Sequence, residues 1–189
     1  MSLKYLLVRP GLALALVVLI LLTRTNPVTL VVNPPDATLA VFFIAGLLIP
    51  TATVYVLLFA TAVAADLLSF TLGVSDWCFT PAYVFLVPTY ASLWFAGYVC
   101  RNINVFSWLG AAKAAVSLAL ATTIAYAIST YSFYFFSGRL ITEQSIAAYK
   151  EGIPHYFPMY IGWAFFYVAA AFAVSFGMRA LRQRQLRQH

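Results

Sequence analysis

The chain has 189 residues, of which 63% are hydrophobic and only 8% charged, with 11 Lys+Arg against 5 Asp+Glu. A soluble domain carries about 25% charged residues. This composition and a mean hydropathy of +0.91 exclude an ordinary soluble globule, a disordered chain and a nucleic-acid binder.

A membrane-crossing helix needs about 20 apolar residues, so the expected fold is an all-α integral membrane protein with six transmembrane helices. In chain order the first predicted span covers 5–22, with Lys4 and Arg9 near its start and Arg24 just past its end. Lys4 and Arg9 before an apolar run also suit a secretory signal. No small-x-small cleavage site follows, so a retained helix is expected. A loop over 25–37 follows, marked by Asn33-Pro34-Pro35-Asp36, with 28–32 extended. The apolar run 38–74 would be about 55 Å long as one helix. Pro50-Thr51 divides it into spans 38–49 and 51–73. After a loop over 75–81 come span 82–100, ending at Arg101-Asn102, and span 106–136. The stretch 137–154 is the longest hydrophilic segment and is expected to be a loop, leaving 156–178 as the sixth span.

Arg179, Arg182, Arg184 and Arg187 directly follow that last span. Cytoplasmic segments retain Lys and Arg, so the C-terminus is expected in the cytoplasm, and an even number of spans puts the N-terminus there too. No internal repeat is visible, and one six-helix domain over 1–189 is expected. The loops after spans 1, 3 and 5 then lie outside.

Aromatic residues gather near those outer ends, with seven in 77–95, five in 131–136 and eight in 149–167. An interfacial belt accounts for some of them, and ligand stacking is expected of others. Lys113 lies close enough to the inner end of its span to snorkel. Asp66 lies about 22 Å into the third span, where a carboxylate must be paired or wet. It is expected to face a polar cavity opening outward, with a hydrogen bond to a neighbouring helix as the alternative.

Cys78 and Cys100 bracket the fourth span, about 33 Å apart along a helix, which is too far for a disulfide. Cys78 is therefore a single thiol at a loop-to-helix junction, where the helix start favours a thiolate. A protein-only zinc site needs three or four ligands, and only Asp66 and His155 are plausible companions. A cysteine hydrolase would need His155 as its base. A metal held in a macrocycle needs just one axial ligand, which suits a solitary cysteine best.

Six short hydrophobic helices in 189 residues, with a basic C-terminus, resemble the substrate-binding S-components of energy-coupling factor (ECF) transporters. The segment Asp76-Trp77-Cys78-Phe79-Thr80-Pro81-Ala82-Tyr83 resembles the corresponding part of the BtuM family, the solitary vitamin B12 S-components. The resemblance implies a bacterial cytoplasmic-membrane protein that binds and takes up cobalamin as transported ligand rather than as true cofactor. It also implies Cys78 as axial ligand to cobalt, with Trp77 beside it, and removal of cyanide from cyanocobalamin at Cys78. Cobalamin presents amides and a phosphate, so Asp66, Tyr83, Tyr134, Arg139 and Tyr160 are expected to bind it. S-components dock their coupling subunit, which works with ATPases, through an Ala-x-x-x-Ala pattern in the first helix. The nearest match is Gly11-x-x-x-Ala15, and the solitary family's resemblance leaves uptake without that partner open. The chain has no Walker motif of its own. Besides cobalamin and the lipid bilayer, no nucleic-acid partner is expected. A Cys78/His155 hydrolase and a six-helix scaffolding protein are the competing classes.

Overall fold

The computed structural model describes residues 10–25, 35–71 and 79–188, with side chains as far as Gly177. Among the described residues six α-helices follow one another: α1 (Pro10–Arg24), α2 (Thr38–Leu48), α3 (Ala52–Thr71), α4 (Leu86–Cys100), α5 (Trp108–Phe136) and α6 (Glu143–Gln188). A 3-10 turn, Pro81–Phe85, leads into α4. Among the described residues four stretches are long and apolar enough to cross a membrane: Ala52–Thr71, Pro81–Cys100, Trp108–Phe136 and Glu143–Gly177. α1 and α2 are apolar but shorter, at 15 and 11 residues, or about 22 and 16 Å.

Local chemistry sets most of the boundaries. Pro50 has no N–H and disfavours helix in the residue before it; Ile49 leaves the helical region with φ −138 and ψ 66. Thr51 then accepts the Val54 N–H at 3.3 Å and starts α3. Ser107 accepts the Gly110 N–H at 3.1 Å as N-cap of α5. α5 closes at Gly138, whose φ of +66 is the left-handed conformation that ends many helices.

Residues 143–154, expected as loop, are the first turns of α6. Thr142 and Ser145 cap each other there, each side-chain oxygen accepting the other's N–H at 3.1 Å. Tyr149 anchors this stretch to α5, donating to the Thr130 carbonyl at 3.0 Å and stacking on Phe133 at 5.4 Å. Pro154 and Pro158 sit inside the helix. Membrane helices tolerate this because neighbours can satisfy freed backbone groups, and the adjoining helix is tied on here: the Tyr126 hydroxyl of α5 donates to the Ile153 carbonyl at 2.6 Å.

α2 is the centre of the bundle. Ten of its eleven residues are buried, as expected of a helix that is apolar all round. It packs on α4 backbone to backbone. A Cβ on Gly46 would lie 1.9 Å from the Trp94 carbonyl oxygen, and one on Gly97 would lie 2.0 Å from the Phe43 oxygen. Small residues at such crossings let membrane helices approach closely. α1 lies on α3 and α2, α4 on α5, and α5 on α6. One end of the bundle thus collects the C-termini of α1, α3 and α5 and the N-termini of α2, α4 and α6. The other collects the loop after Cys100 and the far end of α6.

Candidate functional site

Arg24, the last residue of α1, is the hub of the first end. Its Nε and Nη2 donate to the two Asp66 oxygens at 2.6 and 2.8 Å, a bidentate pair joining α1 to α3. Its Nη1 donates to Asp36 at 2.9 Å and to Thr38 Oγ1 at 3.3 Å. The Tyr83 hydroxyl completes the group, donating to Asp66 Oδ2 at 2.7 Å. The Arg24 and Asp66 side chains are 13% and 18% exposed, whereas Asp36 is 46% exposed. The charges of the first two are therefore removed from solvent, and Asp36 forms the rim.

The segment entering α2 is fixed by the same chemistry. Asp36 accepts the Thr38 N–H at 2.8 Å and also bonds the Thr38 hydroxyl. The Ala37 N–H donates to Thr23 Oγ1 at 3.2 Å, and the Tyr167 hydroxyl on α6 donates to the Pro35 carbonyl at 2.7 Å. Below lies an aromatic floor. Tyr90 is buried, stacks on Phe42 at 4.6 Å, and has the Arg24 guanidinium 5.8 Å from its ring centre.

Beside this network is a cavity of 210 Å³ lined by Asp36, Leu39, Tyr90, Tyr156, Met159, Tyr160 and Trp163. Aromatic faces with one rim carboxylate can stack a flat or apolar group and accept hydrogen bonds from it. The volume is below the roughly 300–1,000 Å³ of sites that enclose drug-sized ligands, so the cavity can receive an edge or side chain of a large ligand.

Three of the expected binding residues meet at this end. Asp66 and Tyr83 are bonded to each other, and Tyr160 lines the cavity. Asp66 faces Arg24 rather than an open cavity, which is the interhelical alternative in charged form. Tyr134 belongs to a different group, with Tyr149 at 6.4 Å and the Lys150 ammonium 5.6 Å from its ring centre. Arg139 follows the turn after α5, its N–H donating to Ser137 Oγ at 3.2 Å. Trp77 and Cys78 lie outside the described residues, as do 5–9 of the first expected span, the extended stretch 28–32 and most of the 75–81 loop. The residue after Cys78 is described: Phe79 stacks on Tyr83 at 5.2 Å and leans on Phe70 at 5.7 Å. His155 is exposed on α6 beside the Tyr156 ring. Gly11 and Ala15 are both exposed on α1, opposite its buried Ala13, Leu16 and Ile20. Cys100 is a buried free thiol. Among the described residues no cluster of three or more His, Cys, Asp or Glu side chains forms a metal site.

Arg24, Asp36, Tyr90, Tyr156 and Trp163 were not among the sequence candidates. One signal for Arg24 existed. It ends the first apolar run at the end of the bundle where the third run carries Asp66, and opposite charges at matching depth are expected to pair. The cavity aromatics gave no such signal, because belt and ligand aromatics have the same composition.

The chain matches no protein-family model and no curated protein.

Proposed function

We propose that the chain is a six-span protein of the bacterial cytoplasmic membrane, with both termini in the cytoplasm, that binds cobalamin at the Arg24 end of the bundle and takes it up. Cys78 supplies the axial ligand to cobalt, and with cyanocobalamin this is a ligand exchange: the Co–S bond forms as the Co–CN bond breaks, and cyanide leaves as the anion with the oxidation state of cobalt unchanged. The observation that carries this reading is the position at which the Cys78 segment joins the rest of the chain. Phe79, covalently next to Cys78, is clamped against Tyr83, and Tyr83 is hydrogen-bonded into the Arg24–Asp66 network.

The adjoining cavity supports the reading by its chemistry. Tyr90, Tyr156, Tyr160 and Trp163 offer apolar faces, and the exposed Asp36 carboxylate accepts from amide N–H groups such as those on a corrin periphery. A cavity of 210 Å³ takes only part of such a ligand, so most of the macrocycle lies over the end of the bundle. The exposed Gly11 and Ala15 leave one face of α1 free for an ECF coupling subunit, and uptake without one is the other route.

The test is the visible spectrum of protein purified after growth with cobalamin. A bound corrinoid with a spectrum distinct from free cyanocobalamin is expected, and Cys78→Ala should abolish the difference. His155→Ala should leave it intact, because one thiolate completes the coordination. If Cys78→Ala and the parent give the same loaded spectrum, thiolate ligation is wrong. If neither binds a corrinoid and His155→Ala abolishes a hydrolytic activity, the hydrolase reading replaces this one.

A further inference from the structure

The other end of the bundle carries a groove that the proposed cobalamin site does not use. It lies between the first half of α5 and the second half of α6, has a volume of 460 Å³, and is lined by apolar residues, among them Phe106, Ala111, Leu118, Phe165, Ala169 and Phe176. Its width comes from sequence: alanines on both helices face each other where larger side chains would close the gap. Phe106 and Phe172 meet edge to face at 6.3 Å.

We propose that this groove holds one acyl chain of an anionic phospholipid from the leaflet at the basic end of the bundle. Length is the first argument. The α6 residues lining it run from Phe165 to Phe176, about 16 Å along the axis, close to half of a ~30 Å hydrocarbon core. On α5 the lining stops at Leu118, about 15 Å from the helix start. A transmembrane partner helix would contact both leaflets, whereas this groove serves one.

Charge selects the headgroup. The groove mouth is at the Trp108 end of α5, where Trp108 is 89% exposed, as an interfacial anchor is. Around that level lies Arg101, stacked 3.8 Å over Tyr98. α6 continues past the groove to Gln188 through Arg179, Arg182, Arg184 and Arg187. The sequence from 97 to 118 and from 163 to 189 contains no Asp or Glu. The described acidic residues, Asp36, Asp66, Glu143 and Glu151, all belong to the opposite end. Basic segments at a membrane surface attract anionic lipid, and no described acidic side chain at this end opposes it.

The test uses the full chain in mild detergent, supplied with equal amounts of dipalmitoyl phosphatidylglycerol and phosphatidylcholine, with retained lipid read by native mass spectrometry. One phosphatidylglycerol per chain is expected, retained at least tenfold over phosphatidylcholine. Ala169→Phe fills the groove from an exposed position and should lower retention at least tenfold. Arg179→Gln with Arg182→Gln should bring the two lipids to equal retention. Equal retention by the parent overturns the proposal whether or not a variant folds, and so does undiminished retention by folded Ala169→Phe. A parent that carries a second copy of the chain, separated by Ala169→Phe, also overturns it. The measurement contains no corrinoid, so its failure is distinct from failure of the cobalamin reading.

Discussion

Replacing Asp66 by Asn keeps the side chain's size and removes the charge that Arg24 was buried against. Arg24 Nε and Nη2 reach the two carboxylate oxygens at 2.6 and 2.8 Å, and Tyr83 donates a third hydrogen bond at 2.7 Å. An Asn amide offers one oxygen and one NH₂, so one Arg24 donor meets another donor and the guanidinium loses its counter-charge. With charge centres ~4 Å apart and an effective dielectric of 20, the Coulomb attraction is about 4 kcal/mol. Removing one member of a buried pair costs about 3–5 kcal/mol. The exposures of 13% and 18% place this pair near that range rather than with surface pairs. Asp66→Asn should therefore lower stability by about 3 kcal/mol, and Arg24→Gln by a similar amount. The double variant should lose far less than the sum, giving a coupling energy of about 2 kcal/mol or more. Unfolding of the four proteins in detergent measures this cycle. Asp36→Asn is the internal control, since its 46% exposed leg should be worth under ~1 kcal/mol. Additivity of Arg24→Gln and Asp66→Asn within about 0.5 kcal/mol would refute the pair as a structural lock. Any ligand-binding loss in Asp66→Asn must be read after correction for folded fraction.

Two other outcomes are expected. Gly97→Ala puts a methyl group 2.0 Å from the Phe43 carbonyl oxygen, a backbone atom of the buried α2 that cannot step aside. It should cost at least about 1–3 kcal/mol and reduce the yield of folded protein, while Gly11→Ala, with nothing nearby, should be neutral by the same detergent unfolding assay. Reporter fusions after Arg187 and within the 137–142 turn should report opposite sides of the membrane, the first cytoplasmic. A common side for both would overturn the proposed topology.

Particular elements separate what composition carries from what contacts decide. The starts and stops of α2 to α5 were close to the predicted spans because local signals set them: Pro50 between α2 and α3, Pro81 before α4, Arg101-Asn102 after it. The start of α6 was not legible. Residues 143–154 are polar enough to read as loop, and Pro154 reads as a boundary. The Thr142–Ser145 cap starts that stretch as helix, and contacts with α5 hold it there: Tyr149 donates to the Thr130 carbonyl, and the Tyr126 hydroxyl donates to the Ile153 carbonyl.

At the candidate site, the sequence reading singled out Asp66 by its depth and Tyr83 and Tyr160 by their hydroxyls, which the structure places at one end of the bundle, and left Arg24 as a flanking charge and Tyr90 as one aromatic among many. Tyr134 shares the aromatic richness of that end yet packs against Tyr149 and Lys150. The sequence by itself determined that the chain is helical, with several segments long and apolar enough to cross a bilayer, and roughly where those segments lie, because the hydrophobic effect acts on each segment's composition without reference to any other segment. Which charges neutralise each other, which helix is the core and where a cavity remains depend on packing between segments far apart in sequence. Arg24 meets Asp66 across 42 residues, and Tyr167 meets Pro35 across 132. Such pairings are decided by the crossing of α2 on α4 and the stacking of the other helices around it, and only the tertiary structure fixes them.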